Sequence, residues 1–174
     1  MSAVMTSAAS PGPAVEMDRI WRLLGSVMDP EIPVLSLVDL GVVRDVIATD
    51  TELEVVITPT YSGCPAMRVM EEGIVKQLHD NGYEHVQVKR VLSPPWSTDW
   101  ITAEGRRKLL EYGIVPPAGA AGSKRGLWDE ESGLRCPRCE SERTCCVSDF
   151  GSTPCKALYR CEDCLEPFEY FKCL

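Results

Sequence analysis

The sequence predicts an α+β protein, with a small mixed sheet and packed helices followed by a small four-cysteine β ribbon. Two observations lead to this fold class. In the first two thirds of the chain, β-branched runs alternate with segments of helical periodicity. Further along, two Cys-x-x-C pairs follow a segment rich in Pro, Gly and Ala. We therefore predict a disordered leader at residues 1–14, an α/β domain at 15–115, a linker at 116–126 and the ribbon at 127–174.

The charge balance and the N-terminal composition limit the class of protein. The chain of 174 residues carries 26 Asp and Glu against 18 Lys and Arg, a formal net charge of -8. This balance argues against binding a nucleic-acid backbone, which needs clustered Lys and Arg. Residues 1–14 lack the features of a secretory signal, and no run of about 18 apolar residues could span a membrane. We expect a cytoplasmic protein, in which nine cysteines point to metal or reactive thiols before disulfides.

The first half of the α/β domain is predicted to hold a helix and a hairpin. Apolar residues at helical spacing predict a helix over residues 15–27, which ends before Pro30 because a residue preceding proline avoids the α region. Two β-branched runs, at residues 42–48 and 52–58, flank a short polar turn and predict a hairpin. The apolar residues of the second run share one face: Leu53, Val55 and Ile57.

The second half of this domain is predicted to hold two helices and a third strand. Pro65 suits the first turn of a helix that stops near Gly82. A strand follows at residues 86–92. Thr102 is predicted to cap a last helix, which Gly113 closes.

Four cysteines have the spacing of a closed metal site. Cys136 and Cys139 form one pair, Cys161 and Cys164 form a second, and 21 residues separate the pairs. Two residues between thiolates let a tight turn aim both sulfurs at one ion, and a tetrahedron of four sulfurs suits zinc. We predict a structural zinc ribbon that depends on its metal for folding, with rubredoxin-type iron as the alternative. Its strands are predicted at residues 147–150, 157–160 and 168–171.

Four further cysteines in the tail are surplus to this site: Cys145, Cys146, Cys155 and Cys173. They are interpreted as buried or incidental thiols. The alternative is that Cys155 or Cys173 lies close to the metal and tunes it.

Cys64 is the cysteine of the first domain that carries a functional hypothesis. If Pro65 is the first helical residue, Cys64 is the N-cap, where backbone N–H groups and the helix dipole would lower the thiol pKa. The residues leave open a reactive or metal-binding thiol and a small buried side chain. Asp29, Glu31 and Asp39 flank the preceding loops, and two of them near Cys64 could make a mixed sulfur–carboxylate site for a transiently held metal. The alternative is that they serve as turn and capping residues.

Two tryptophans lie in a Pro-containing loop of the first domain. Trp96 and Trp100 are candidates for an exposed partner-docking surface. The alternative is that they cover the core.

Several motifs resemble those of a known family. Residues 29–33 and 38–41 resemble the entry motif of the SufT-like iron–sulfur assembly domain, and residues 58–65 resemble its cysteine loop. The tail segments 150–161 and 166–173 resemble the PaaD-type family, which belongs to bacterial phenylacetyl-CoA monooxygenase systems, the ring 1,2-epoxidases. The resemblance extends over most of the chain, and the tail motif is long and specific.

The resemblance implies an accessory role. In those systems the di-iron chemistry belongs to other subunits, the reductase carries flavin and an iron–sulfur cluster, and the PaaD-type protein helps to mature or insert metal centres. Cys64 corresponds to the family's cysteine, which implies a transient iron or cluster site. The ribbon ligands correspond to Cys136, Cys139, Cys161 and Cys164. The implied partners are the oxygenase and reductase subunits, and the sequence leaves a homodimer open.

Three functions follow as hypotheses. The first is an assembly factor that works through Cys64. The second is a structural or docking component of the oxygenase complex, in which Cys64 has no role. The third is a thiol enzyme, which needs a base that the sequence does not supply.

Overall fold

The computed structural model describes residues 13–49, 52–117 and 134–172. The predicted leader, apart from its last two residues, lies outside these ranges, as does most of the predicted linker. Within them the chain forms three helices and two small sheets, so the predicted α+β class is confirmed. No helix in this part of the chain is both long and apolar enough to cross a membrane.

The first sheet has three strands in the order β1-β2-β3. Strands β1 (Val43–Ala48) and β2 (Leu53–Ile57) form the predicted antiparallel hairpin. Strand β3 (Val86–Arg90) pairs with β2 in parallel. The parallel pairing needs a crossover between the two strands, and helix α2 (Met67–His79) supplies it.

The first helix, α1, spans Pro13–Leu24 and ends earlier than predicted. Its last turn tightens, because Ser26 donates to the Leu23 carbonyl and Val27 donates to the Leu24 carbonyl. The Val27 carbonyl is then free to accept from Leu37, which ties the helix end to the following loop.

The last helix of the first domain, α3 (Ala103–Tyr112), has both predicted caps. The Thr102 side chain accepts from the Gly105 backbone N–H, and Gly113 takes the left-handed conformation at φ 91°. Such a conformation favours glycine, which has no Cβ to clash. Strand β4 (Ile114–Val115) follows at once.

The second sheet contains the ribbon and has the order β4-β7-β6-β5. Its strands β5 (Thr144–Ser148), β6 (Lys156–Cys161) and β7 (Pro167–Phe171) are antiparallel neighbours, and β4 joins β7 in parallel. Strand β5 begins and ends earlier than predicted. It starts beside the metal loop, where the Thr144 hydroxyl donates to the Leu134 carbonyl, and an irregularity between Cys146 and Ser148 disturbs its far end.

The main hydrophobic core includes residues from both parts of the chain. The apolar face of β2 is buried as predicted, and α2 packs Met70, Ile74 and Leu78 into the same cluster. Phe171 of β7 is fully buried in that cluster too, with its ring centroid 6.0 Å from that of Trp96. A smaller cluster, which includes Leu134 and Phe168, surrounds the metal loops. The ribbon is therefore packed against the first domain.

Candidate metal centres

The four ribbon cysteines converge on one point. The Sγ atoms of Cys136, Cys139, Cys161 and Cys164 all lie within 4.8 Å of one another. Sγ–Sγ distances are 3.7 Å between Cys136 and Cys164 and 3.5 Å between Cys139 and Cys161. A zinc ion bound tetrahedrally at about 2.3 Å would set these sulfurs about 3.8 Å apart. The geometry and the all-thiolate donor set therefore fit structural zinc.

Each Cys-x-x-C turn ends in a residue with a left-handed backbone. Glu140 follows Cys139 with φ 61°, and Leu165 follows Cys164 with φ 63°. This conformation is costly for residues with a Cβ, by about 1–2 kcal/mol. It turns the next backbone N–H toward the sulfur, so that Ser141 donates to Cys139 and Glu166 donates to Cys164. The strain is offset by hydrogen bonds to the metal ligands.

A third backbone donor stabilises Cys161. The hydrogen bond from the Cys164 N–H, together with interactions with the other three ribbon thiols, lowers the pKa of the Cys161 thiol to about 7, although the residue is fully buried. A ligand must be a thiolate to bind zinc, so this donor favours the bound state. The two metal loops are also joined directly, since Asp163 accepts from Ser141 and pairs with Arg143.

The prediction that Cys64 is a helix N-cap is wrong. Helix α2 begins at Met67, and Ala66 is its N-cap. Residues 64–66 form a preceding turn, closed by a 3.4 Å hydrogen bond from the Met67 N–H to the Cys64 carbonyl. Cys64 is half-buried against the main core.

The expected lowering of the Cys64 pKa is also wrong. Burial raises the pKa of the thiol, and the carboxylates of Glu31 and Asp29 raise it further. Hydrogen bonds from the Ala66 N–H and the Tyr61 side chain oppose these effects without outweighing them. The thiol is therefore neutral at pH 7 in the absence of a cation, and the thiol-enzyme hypothesis loses its main support.

Asp29 and Glu31 lie close to Cys64. Asp29 is buried, and its Oδ1 accepts from the Glu31 N–H at 2.8 Å and the Ile32 N–H at 2.6 Å. Burial raises its pKa despite these two bonds. Glu31 is half-buried, and burial and the nearby Asp29 raise its pKa. The same turn that fixes Asp29 thus places two carboxylates beside the thiol.

Asp39 has a different environment. Its Oδ2 accepts from the Lys108 ammonium at 2.7 Å and from the Ser36 N–H at 3.3 Å, and its carbonyl accepts from the Thr102 N–H. These partners hold the start of α3. Asp39 is therefore not part of the site around Cys64. It acts instead as a turn and capping residue, which was the alternative interpretation of its role.

The two tryptophans are not an exposed pair. Trp96 is 5% exposed, and its indole N–H donates to the Leu40 carbonyl at 3.1 Å. Its predicted docking role is wrong because the side chain covers the core. Trp100 is half-buried, and the Arg44 guanidinium lies 3.5 Å from its ring centroid.

The structure brings further residues to the Cys64 site that the sequence argument missed. Cys155 is buried in the main core, away from the four-cysteine site, and interacts electrostatically with Glu31 and Asp29. Tyr61 interacts with Cys64, Glu31 and Cys155. No spacing links Cys155 to Cys64 along the chain. The sequence feature that could have drawn attention to Cys155 is its position within the long and specific tail motif.

Two other surplus cysteines within the described residues do not join the four-cysteine site. Cys145 is half-buried and Cys146 is exposed, both on β5. Cys173 lies outside the described residues.

Comparisons with known families agree with this architecture. Residues 17–89 match the family described as iron-sulfur cluster assembly protein, and residues 120–172 match the PaaD zinc beta ribbon domain. A crystallised domain of unknown function from Bacillus anthracis superposes with a TM-score of 0.52 at 27% identity, covering 55% of this chain and 92% of that one. Fold and site define an iron–sulfur assembly-type domain joined to a zinc ribbon.

Curated relatives specify the family further. The chain is 49% identical over 159 residues to the putative D component of the 1,2-phenylacetyl-CoA epoxidase of Escherichia coli, covering 91% of this chain and 94% of that protein. It is 32% identical over 98 residues to an Fe-S protein maturation auxiliary factor of Porphyromonas gingivalis, covering 55% of this chain and 90% of the relative. The chain belongs to the PaaD-type family, that of the D component of 1,2-phenylacetyl-CoA epoxidase.

Proposed function

We propose that this protein is a non-catalytic accessory factor of phenylacetate degradation. It matures or inserts the iron–sulfur or di-iron centres of the phenylacetyl-CoA monooxygenase complex. Cys64 holds iron or a cluster transiently, with Asp29 and Glu31 as neighbouring carboxylates. The oxygenase and reductase subunits are its clients. The relative named as a component of that epoxidase and the relative named as a maturation factor both support this assignment.

The grouping of a half-buried thiol with two carboxylates carries the proposal. Burial and the carboxylates of Glu31 and Asp29 disfavour the free Cys64 thiolate, so the group is poorly suited to nucleophilic catalysis. A bound cation reverses this balance, because it is attracted by both carboxylates and stabilises the thiolate. The group therefore suits a metal cargo better than thiol chemistry.

The ribbon has a separate role in this proposal. Its four thiolates fill a tetrahedral zinc site, which leaves no open position for a substrate. We assign zinc there to folding, and the ribbon surface to contact with a client. Zinc chemistry on a substrate is not part of the function.

Co-expression with the clients tests the proposal. The oxygenase and reductase subunits would be produced with wild-type protein, with Cys64→Ser, or with neither, and iron and acid-labile sulfide would be measured in the purified clients. We expect metal-poor clients in the last two cases. Cys146→Ser, which changes an exposed cysteine on β5, is the matched control and should support full loading. Fully loaded clients in every case would remove maturation from the function.

A docking component of the oxygenase complex is the second candidate. The ribbon favours it by exposing large apolar side chains, with Val147 55% and Phe150 68% accessible. This candidate predicts stable, stoichiometric co-purification with oxygenase subunits that Cys64→Ser leaves unchanged. It also predicts that client loading does not depend on the protein.

A further inference from the structure

One arginine of the first domain is stacked on a tryptophan instead of pairing with a carboxylate. The Cζ atom of Arg44 lies 3.5 Å from the centroid of the Trp100 ring. Arg44 is exposed at the second position of β1, and Trp100 is half-buried at the end of a short 3₁₀ turn, Thr98–Trp100. A guanidinium stacked on an indole keeps its N–H groups in its own plane, where they can meet a carboxylate with two parallel hydrogen bonds.

The other arginines of this domain have polar partners among the described residues. Each pairs with a carboxylate or donates to a backbone carbonyl: Arg19, Arg22, Arg68, Arg90, Arg106 and Arg107. Within the same described ranges, Arg44 has neither kind of partner. Partial burial lowers the pKa of Arg44, and no described acidic group raises it. The hydrogen-bonding capacity of this guanidinium is therefore available to a group from outside the domain.

The backbone around Trp100 is fixed by close packing against the loop before β1. Gly41 has φ 71°, and a Cβ there would lie 2.5 Å from the Trp100 carbonyl oxygen, so only glycine allows this approach. The Trp100 N–H donates to the Ser97 carbonyl at 3.0 Å, and the next residue, Ile101, is buried in the main core. Because the indole and the strand that carries Arg44 are held in place beforehand, a partner binds here at a lower entropic cost.

The stack lies at the end of the first sheet from which the Cys64 loop emerges. Val43, at the start of β1, is paired with Ile57, at the end of β2. The Val42 carbonyl accepts from the Thr58 N–H at 2.9 Å, and Thr58 leads into the loop that holds Cys64. A protein bound at the stack would therefore meet the same end of the sheet as the loop to which the proposed function gives the metal cargo.

The charge of the chain indicates what kind of side chain suits this position. Arginine and tryptophan are among the residues that contribute most to protein–protein binding energy. The chain has a formal net charge of -8, so long-range electrostatics does not attract an acidic partner. A carboxylate on a partner is attracted locally by Arg44 and repelled by much of the remaining surface. This contrast fixes where the partner binds and in which orientation.

We propose that the Arg44–Trp100 stack docks an oxygenase or reductase subunit through one Asp or Glu side chain of that client. Apolar atoms of the same client segment cover the free part of the indole. This inference rests on the proposed function, which supplies the clients, and deepens it. The ribbon surface remains one point of contact, and the stack adds a second one at the end of the sheet that bears the Cys64 loop.

Binding of purified client subunits tests this inference on the full chain with zinc in the ribbon. The affinity of each immobilised client for the protein would be measured at low and at raised salt. The variants are Arg44→Glu and Arg44→Lys. Arg22→Glu is the control, because it makes the same charge change at an exposed arginine on α1. Thermal unfolding and zinc content report on the fold of each variant, and Arg44→Lys keeps the test usable if the charge reversal is destabilising.

We expect Arg44→Glu to weaken client binding by at least about tenfold and to make it less dependent on salt, because attraction is replaced by repulsion. Arg44→Lys should weaken binding by about two- to fivefold, since an ammonium group cannot form the planar pair of hydrogen bonds. The control should stay within about twofold of the wild type.

Carboxyl footprinting of the complex identifies the partner group. Client Asp and Glu side chains would be labelled with a carbodiimide and glycine ethyl ester, in the presence and absence of the protein. The carboxylate at the stack should be protected by wild-type protein but not by Arg44→Glu. Changing that client residue to lysine should weaken binding to wild-type protein and restore binding to Arg44→Glu.

Three results would overturn the inference. They are a wild-type protein that binds neither client, a folded Arg44→Glu that binds like the wild type, and a lysine exchange that restores binding at none of the protected carboxylates. Client loading in the co-expression assay decides the proposed function separately. If Cys64→Ser abolishes loading while Arg44→Glu binds and loads normally, the proposed function stands without this surface. If Arg44→Glu loses binding while loading ignores Cys64→Ser, the surface stands and the maturation role is lost.

Discussion

Asp39 is a single residue that joins the loop before β1 to helix α3. It accepts hydrogen bonds from Lys108 on α3 and from Ser36 in the preceding loop, and its backbone carbonyl receives the Thr102 N–H. Burial alone would raise the pKa of Asp39, but the hydrogen bonds from Lys108 and Ser36 outweigh it, and the pKa is lowered. The ionised form is therefore the one that stabilises the fold.

Replacement of this residue should destabilise the protein in a pH-dependent way. Because the pKa of Asp39 is lower in the folded protein, its contribution is complete above the unfolded value of about 3.9 and is lost as pH falls through the folded value. We expect Asp39→Asn to cost about 1–3 kcal/mol at pH 7, and the difference from wild type to shrink in acid. Denaturant unfolding between pH 7 and pH 3 measures the loss of stability at pH 7 and its decrease in acid.

Asp18→Asn provides the control, since Asp18 is exposed on α1. It should follow the wild-type curve within about 0.5 kcal/mol. A constant difference between Asp39→Asn and wild type across this pH range would show that the charge of Asp39 is not what stabilises α3.

Strand β7 is the element that joins the ribbon to the first domain. It lies between β4 and β6, and it directs Phe171 into the main core and Phe168 into the cluster around the metal loops. The two aromatic side chains make one strand part of both cores. A substitution that disrupts the packing of this strand should therefore lower the stability of both the ribbon and the first domain.

Phe171→Ala should show this effect. Truncation of a fully buried phenylalanine typically costs about 3–5 kcal/mol, and here the loss would also loosen the contact with Trp96. Phe150→Ala removes the same atoms from a side chain that is 68% exposed and serves as the matched control. Chemical denaturation followed by tryptophan fluorescence measures both variants. Equal, small losses of stability would mean that the ribbon does not contribute to the main core.

The elements were predictable where the signals are local. The β1–β2 hairpin, the Thr102 and Gly113 caps of α3 and the two Cys-x-x-C turns follow from patterns within a few residues. The start of α2 was not predictable from Pro65, because a separate turn at residues 64–66 intervenes. The pairing of β4 with β7 joins residues far apart in the chain, and no local pattern encodes it.

The same limit applies to the candidate site. Asp29 and Glu31 were predicted as neighbours of Cys64 and interact with it. Asp39, the third predicted carboxylate, instead forms an ion pair with Lys108. Cys155 could be placed only once the packing of the ribbon against the first domain was known. Burial also reversed the expected direction of the Cys64 pKa shift, since desolvation depends on tertiary packing.

At the scale of the whole molecule, the proposed function gives different tasks to the ribbon cysteines and to the site around Cys64. The ribbon cysteines are close together and supported by backbone donors, which suits a permanent metal. The site around Cys64 is half-buried, acidic and more widely spaced, which suits a metal that is carried and released. In this proposal the ribbon holds the fold, and the first domain handles the metal cargo.

Transfer of iron to a client tests this account most directly. Wild-type protein and Cys64→Ser, each exposed to ferrous iron under anaerobic conditions and freed of excess metal, would be mixed with purified metal-free reductase and oxygenase subunits in the presence of an excess of soluble chelator. The iron acquired by the clients would then be measured. We predict that wild-type protein loads a client despite the chelator, while Cys64→Ser loads it no better than free iron. Equal loading by wild type, Cys64→Ser and free iron would contradict the account and leave the docking role.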